Sequence, residues 1–411
     1  MDPYILILVM AEEKWEEAHF LQEQIQSSDH GARILDMGLI GEARGECDFT
    51  REEIIAASGK NSAEINTITD RGRRMPIIVA GARKRVMELY TEGQLTGVIS
   101  IGGTTGTQMG TQIMEILPFG FPKLAVSSTA SLRGFASRYI GTADIALLHS
   151  VVEIAGLNRM VKNVLSRAAG AVCGMVESGM RTLVEPVIEG ETPMVAITHF
   201  GPCELCANEI RILLEKRGYE VIGFSAAGVG DKALEEMIDN RNLFSAVIDL
   251  APGGVGEELL GFSRTAGPNR LEGAGRAGIP QIIATCGVNF GSPLKRKYKP
   301  EYESRKKIDY DSVRTFVRLS LQELGMVAVA MAEKLNKAKG PVKVIIPLGG
   351  WSSLDRKGTS LYDGEADRVF VNELKKQLRR DIEVREVDYD LETPEFAAAV
   401  VQAFDQVMRA N

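Results

Sequence analysis

Aromatic side chains are scarce in this sequence, at 6% of 411 residues. That scarcity argues against a stacking groove for nucleic acid, which relies on aromatic platforms. Clustered basic charge is also lacking. The net charge is -7 and the isoelectric point near 5.5, so broad polyanion binding is not expected. One run, from Lys295 to Lys307, is rich in Lys and Arg and reads as a solvated loop or a local basic patch. Cysteines number five, odd and scattered, which excludes a disulfide scaffold and fits a reducing cytoplasm. No apolar run is long and charge-free enough to span a bilayer, so no membrane partner is expected. The start MDPYILILVMAEEKW has no basic leader and no small-residue cleavage site, and reads as a first strand.

Glycine is plentiful instead, with 42 residues. Short apolar β-rich runs alternate with amphipathic helical stretches along the whole chain: YILILVM, then EEKWEEAHFLQEQIQ; GVISIGG, then a helix from Thr107; PKLAVSS, then a helical region from Glu153 to Glu177. A long helix is predicted from Arg71 to Glu92 and another from Asp311 to Lys337. Apolar strands between helices predict parallel sheets covered on both faces. The segment Glu177 to Thr192 breaks the rhythm with Gly, Pro and charge, and reads as a linker. The expected architecture is therefore α/β, with two Rossmann-like open parallel-sheet domains, 1–185 and 186–411, facing an interdomain cleft.

The candidate site residues cluster where strands hand over to helices. Gly102, Gly103, Thr104, Thr105, Gly106 and Thr107 follow the strand GVISI. Unpaired amides and the partial positive charge of a helix start attract phosphate or carboxylate, and glycine lets an anion approach the backbone closely. A tight turn capped by threonine is the competing reading. The run is neither a Walker A loop nor a G-x-G-x-x-G fingerprint. Ser128 and Thr129 end the next strand in a second hydroxyl-rich turn, and would meet the first turn at one sheet edge.

The second half repeats this chemistry. Ser225, Gly228 and Gly230 lie in FSAAGVGDK; Asp249 ends the strand FSAVID, and Gly253 and Gly254 follow it. With Asn289 these are candidates for a second ligand in the cleft. Acidic groups at strand ends can hold a ribose or a metal, but the spacing here shows no metal signature. His199 ends the strand MVAITH and is the candidate catalytic residue. Cys203 and Cys206 form a C-x-x-C at a helix start, with structural, redox and metal readings all open.

Two blocks, GVISIGGTTGTQMGTQIMEILPFGFPKLAVSSTAS and YIGTADIALLHSVVEIAGLNRMVKNVLSRAAGAVCGMV, resemble the nucleotide-binding domain family found at the amino end of the tomato mosaic virus resistance protein and in bacterial and fungal relatives. TAGPNRLEGAGRAGIP and GWSSLDRKG extend the likeness into the second half. The resemblance implies ATP binding at the first glycine turn, possible magnesium with the nucleotide, and a homodimer. It settles no reaction, so an enzyme acting on a nucleotide or phosphorylated small molecule stands beside a regulatory or interaction role. Glu12-Glu13-Lys14 occupies the place of the family's Asp-Thr-Lys and keeps the lysine, which makes Lys14 a further nucleotide candidate. Ser225 stands where the family has His.

Overall fold

The computed structural model describes residues 2–132, 134, 139–178, 192–241, 243–312 and 314–409. The chain divides into two compact units, Met1–Glu185 and Pro186–Asn411. Most of the segment read as a linker, residues 179–191, lies outside the described residues.

In the first unit, β1 (Tyr4–Val9) carries six buried residues in a row, YILILV. Alternation along the strand divides them between two layers. Leu6 and Leu8 pack with Ile54, Ile78, Val86, Met109 and Ile113 on one side. Ile5, Ile7 and Val9 pack with Leu21, Ile25, Val161 and Leu165 on the other. The sheet contains β2 (Gly31–Asp36), β3 (Leu95–Gly102), β4 (Lys123–Ser127) and β5 (Ala146–His149), in the order β2-β1-β3-β4-β5. Every pairing is parallel. Chain order reverses between β1 and β3, and such a switch point leaves a crevice at the carboxyl ends of the two strands.

The helices around this sheet are α1 (Ala11–Gln26), α2 (Arg51–Ala57), α3 (Ser62–Asn66), α4 (Arg71–Thr91), α5 (Thr104–Met114) and α6 (Arg159–Glu177). Thr50 and Glu53 close a reciprocal capping box on α2. The α4 span agrees with its expected bounds to one residue. Gly81 of α4 lies against α2 so closely that a Cβ would sit 1.9 Å from the Ile54 carbonyl oxygen. Helix α5 starts at Thr104 rather than Thr107, so the threonines and Gly106 belong to its first turn. The region expected to be helical from Glu153 becomes so only at Arg159, where the Asn158 side chain accepts the amides of Met160 and Val161. Strand β5 precedes it.

In the second unit, β6 (Met194–His199), β7 (Glu220–Ser225), β8 (Phe244–Asp249), β9 (Gln281–Ile283), β13 (Val342–Pro347) and β14 (Glu383–Val387) form a parallel sheet in the order β14-β13-β9-β8-β6-β7. From β7 inward this is the first unit's order with one strand added, and its switch point falls between β6 and β8. A small antiparallel sheet joins β10 (Phe290–Gly291), β12 (Thr315–Arg318) and β11 (Lys307–Asp309). The stretch expected to be helical from Asp311 therefore holds strand at Thr315–Arg318. The helix proper is Leu321–Leu335, begun by a Ser320–Glu323 capping box.

Candidate functional site

At the first switch point, Gly103 is the N-cap residue of α5 and offers no side chain to cap it. The Thr107 amide bonds the Gly103 carbonyl at 2.9 Å. The amides of Thr104, Thr105 and Gly106 meet no acceptor among the described residues. The neighbouring helix start differs: at the head of α1, the Ala11 amide donates to Asp36 Oδ1 at 3.0 Å. Burial raises the pKa of that aspartate, against the pull of the Ala11 and Gly38 amides.

A pocket of about 300 Å³ opens in front of α5. Lys14, Gly102, Gly103, Thr104, Thr105 and Gly106 line it, joined by Met10, Glu13, Arg71, Ile101 and Glu153. Lys14 Nζ donates to the Ile154 carbonyl at 2.5 Å, which anchors the ammonium and leaves it further donors. Arg71 pairs with Glu13 at 2.6 Å. Ser128 Oγ donates to Glu153 Oε2 at 3.2 Å, and a Cβ on Gly103 would lie 3.8 Å from the same hydroxyl. Ser128 thus stands at the pocket's edge.

Thr107 and Thr129 use their hydroxyls inside the turns. Thr107 Oγ1 donates to the Gly103 carbonyl and lies in hydrogen-bond contact with Ser127 Oγ, both at 2.7 Å. Thr129 meets Ser127 Oγ and Tyr139 Oη. Gly102 serves packing as well: a Cβ there would fall 2.9 Å from Gly106 Cα. Sequence reasoning found the turn and Lys14, but not Arg71 or Glu153, which arrive from α4 and from the loop after β5. Next to Glu153, Val151 holds φ at +66° while 76% exposed, a costly conformation for a β-branched residue.

The second switch point is filled from within. Asp249, at the end of β8, accepts Thr198 Oγ1 at 2.6 Å and both terminal nitrogens of Arg270, at 2.5 and 2.7 Å. Arg270 is 1% exposed and also reaches Asp231 at 3.3 Å and Glu235 at 3.2 Å. Burial opposes its charge, but Asp249, Asp231 and Glu235 together hold its pKa above the ordinary value. Burial likewise raises the pKa values of Asp231 and Glu235, against the pull of Arg270.

The glycines here serve close packing. The Gly228 amide donates to Asp231. Hypothetical Cβ atoms on Gly230, Gly253 and Gly254 would lie 2.6 Å from the Ser225 carbonyl, 2.2 Å from the Gly287 carbonyl and 2.8 Å from Asp231 Oδ2. Ser225 is exposed at the end of edge strand β7. Asn289 belongs to a separate buried cluster, donating to Asp355 at 2.6 Å and Asp367 at 2.9 Å. Arg318 pairs with both of those carboxylates. Burial, then Asp355, push Asp367 up to about 7, with Arg318 and Asn289 pulling the other way.

His199 Nδ1 lies 2.9 Å from Glu204 Oε2, near the surface. Cys203 and Cys206 are free, buried thiols. Burial pushes Cys206 and the nearby Cys286 well above the usual thiol range, which disfavours reactive thiolates. Among the described residues no three His, Cys, Asp or Glu side chains gather as a metal set, and no helix is long and apolar enough to cross a membrane.

The N-terminal and C-terminal domain models of the uncharacterised protein family UPF0261 match residues 3–181 and 192–408. This chain belongs to UPF0261. A UPF0261 protein of Clostridium tetani is 32% identical over 99% of this chain and 100% of its own length. One from Brucella melitensis is 31% identical over 98% and 95%. The ToMV resistance protein Tm-1(GCR237) of Solanum lycopersicum is 30% identical over 98% of this chain, which spans 56% of the tomato protein. The ToMV susceptible protein tm-1(GCR26) matches at the same 30%, so the likeness by itself does not convey resistance. Likeness to solved structures is loose: Est1E from Butyrivibrio proteoclasticus gives a TM-score of 0.30 at 13% identity, over 54% of this chain and 91% of its own. Nothing about this UPF0261 member follows from a likeness of that order.

Proposed function

We propose that the first unit of this UPF0261 protein is an ATP-binding domain whose occupancy serves a regulatory or interaction role. One observation carries the reading: a helix start with three unpartnered amides, at a parallel-sheet switch point, faces a pocket holding Lys14 and Arg71. Helix-start amides and an ammonium are the donors that phosphate oxygens need. Thr104, Thr105 and Gly106 would take those oxygens through the backbone, and Lys14 would add its charge. Glu13 and Glu153 are the carboxylates at hand for a magnesium ion carried in by the nucleotide.

Titration calorimetry with Mg-ATP on the full chain tests the reading. The expected result is binding by the native protein and loss of binding in Gly103→Asp, whose carboxylate would cap α5 in the phosphate's place. Absence of heat at millimolar nucleotide, or undiminished binding by Gly103→Asp, overturns it.

A second reading rests on His199. A carboxylate-oriented imidazole at the end of β6 is a general-base arrangement, suited to an enzyme acting on a nucleotide or phosphorylated small molecule. Turnover of ATP or a sugar nucleotide that disappears in His199→Ala would favour it over simple binding.

A further inference from the structure

A second pocket of about 400 Å³ lies at the carboxyl end of β2, and shares no lining residue with the pocket before α5. Its wall includes Asp36, Glu42, Glu46, Thr50, Arg51 and Glu52. Arg51 opens α2 and is 8% exposed. Its Nε and Nη1 are buried with no hydrogen-bond partner, and no N–H of its guanidinium donates to a described residue. The nearest carboxylate oxygen paired with it is Glu52 Oε1, at 3.9 Å. Arg74, on the facing helix, is also mostly buried, has an unpaired Nε, and feels the Arg51 charge as repulsion. A buried guanidinium left this bare is expensive in a folded protein, and such groups are ordinarily paired. Its planar fork matches a carboxylate.

The rest of the wall carries the opposite sign. Glu42, Glu46 and Glu52 are exposed on the rim, and Asp36 is buried beneath. A ligand with only negative charge would be repelled by these carboxylates before reaching Arg51. A ligand bearing an ammonium beside its carboxylate satisfies both signs. These carboxylates form no metal set, so an organic ammonium suits them better than a metal ion.

We infer that the pocket at the end of β2 is a binding site for a small zwitterion, an amino acid or similar amine-bearing carboxylate, held through its carboxylate by Arg51 and through its ammonium by the acidic rim. The inference stands independently of nucleotide binding at α5. The two pockets approach each other at the head of α1: Ala11, whose amide bonds Asp36, lies between Met10 and Glu13 of the other site.

The test uses the full chain and the twenty proteinogenic amino acids, with acetate, inorganic phosphate and methylamine as probes carrying one sign of charge. Thermal-shift screening followed by calorimetry reads the result. At least one amino acid is expected to raise the melting temperature and the three single-sign probes to leave it unchanged. Arg51→Met should weaken that binding by about tenfold or more, as loss of a charge-assisted bidentate contact does. Glu46→Gln with Glu52→Gln should weaken it several-fold. Without ligand, Arg51→Met should melt no lower than the native protein, because it removes an unpaired buried charge. A purely structural Arg51 would instead give a lower melting temperature. Arg51→Lys keeps the charge and loses the fork; if Arg51→Met fails to fold, weakened binding by this variant carries the test. No amino acid binding at millimolar concentration, acetate or phosphate binding as well as any amino acid, or undiminished binding by the arginine variants each overturns the inference.

Discussion

The two switch points share a strand order and differ in what fills them. Between β1 and β3 the crevice keeps its amides unpaired and its cations at the rim. Between β6 and β8 a buried arginine sits where a ligand's positive counterpart would be, bound by Asp249, Asp231 and Glu235. Topology alone therefore does not make a binding site. The crevice is a property of the sheet, and the side chain that enters it decides whether it stays available.

The strongest way to break this comparison is Arg270→Met. Losing the guanidinium strands three buried carboxylates, so the second unit should lose about 3–5 kcal/mol, or roughly 10 °C in its calorimetric transition. A change of only a degree or two would mean the second crevice is not held together by its ion network. The next effect is on affinity: Lys14→Met should weaken Mg-ATP by about tenfold in calorimetry while leaving the melting temperature nearly unchanged. Equal affinity would remove the lysine from the first site.

A pH series sharpens the contrast between buried networks. Asp367 is held up to about 7 in the folded chain, above its unfolded value, so the folded state binds the extra proton. Stability from this group is fully present below the unfolded carboxylate range and is lost as pH rises toward and through 7, with a slope of at most about 1.4 kcal/mol per pH unit. Denaturant midpoints at pH 5, 6, 7 and 8 should fall in that order, and Asp367→Asn should flatten the trend.

The smallest expected effect concerns the loop that carries Glu153. Val151→Gly relieves a positive φ and costs unfolded-chain entropy, for a net gain of about 0.5 kcal/mol in denaturant titrations. A loss of stability would show that the Val151 side chain packs in solution.

Much of the first site was legible because it is made by the backbone. Gly102 to Gly106 lie where an apolar strand meets a helix, and that local pattern needs no knowledge of the rest of the chain. Lys14 came from the resemblance at the end of the first strand. Arg71 and Glu153 did not emerge, since their place depends on which elements the sheet brings to one edge. Asp249 looked like a ligand-holding carboxylate because nothing local signals that Arg270 will claim it. The misread helix start at Asp311 has a related cause: strand pairing of Thr315–Arg318 with β10 and β11 is non-local, while its apolar content also fits a helix.

The contact of Gly81 with the Ile54 carbonyl has a reach beyond packing. Helix α2 begins at Arg51, so whatever sets the separation of α4 and α2 also sets where that guanidinium stands. One methyl group at position 81 would act as a wedge, shifting the floor of the β2 pocket from a surface no ligand touches. Substitutions there are thus a means of detuning the β2 pocket without altering any residue that lines it.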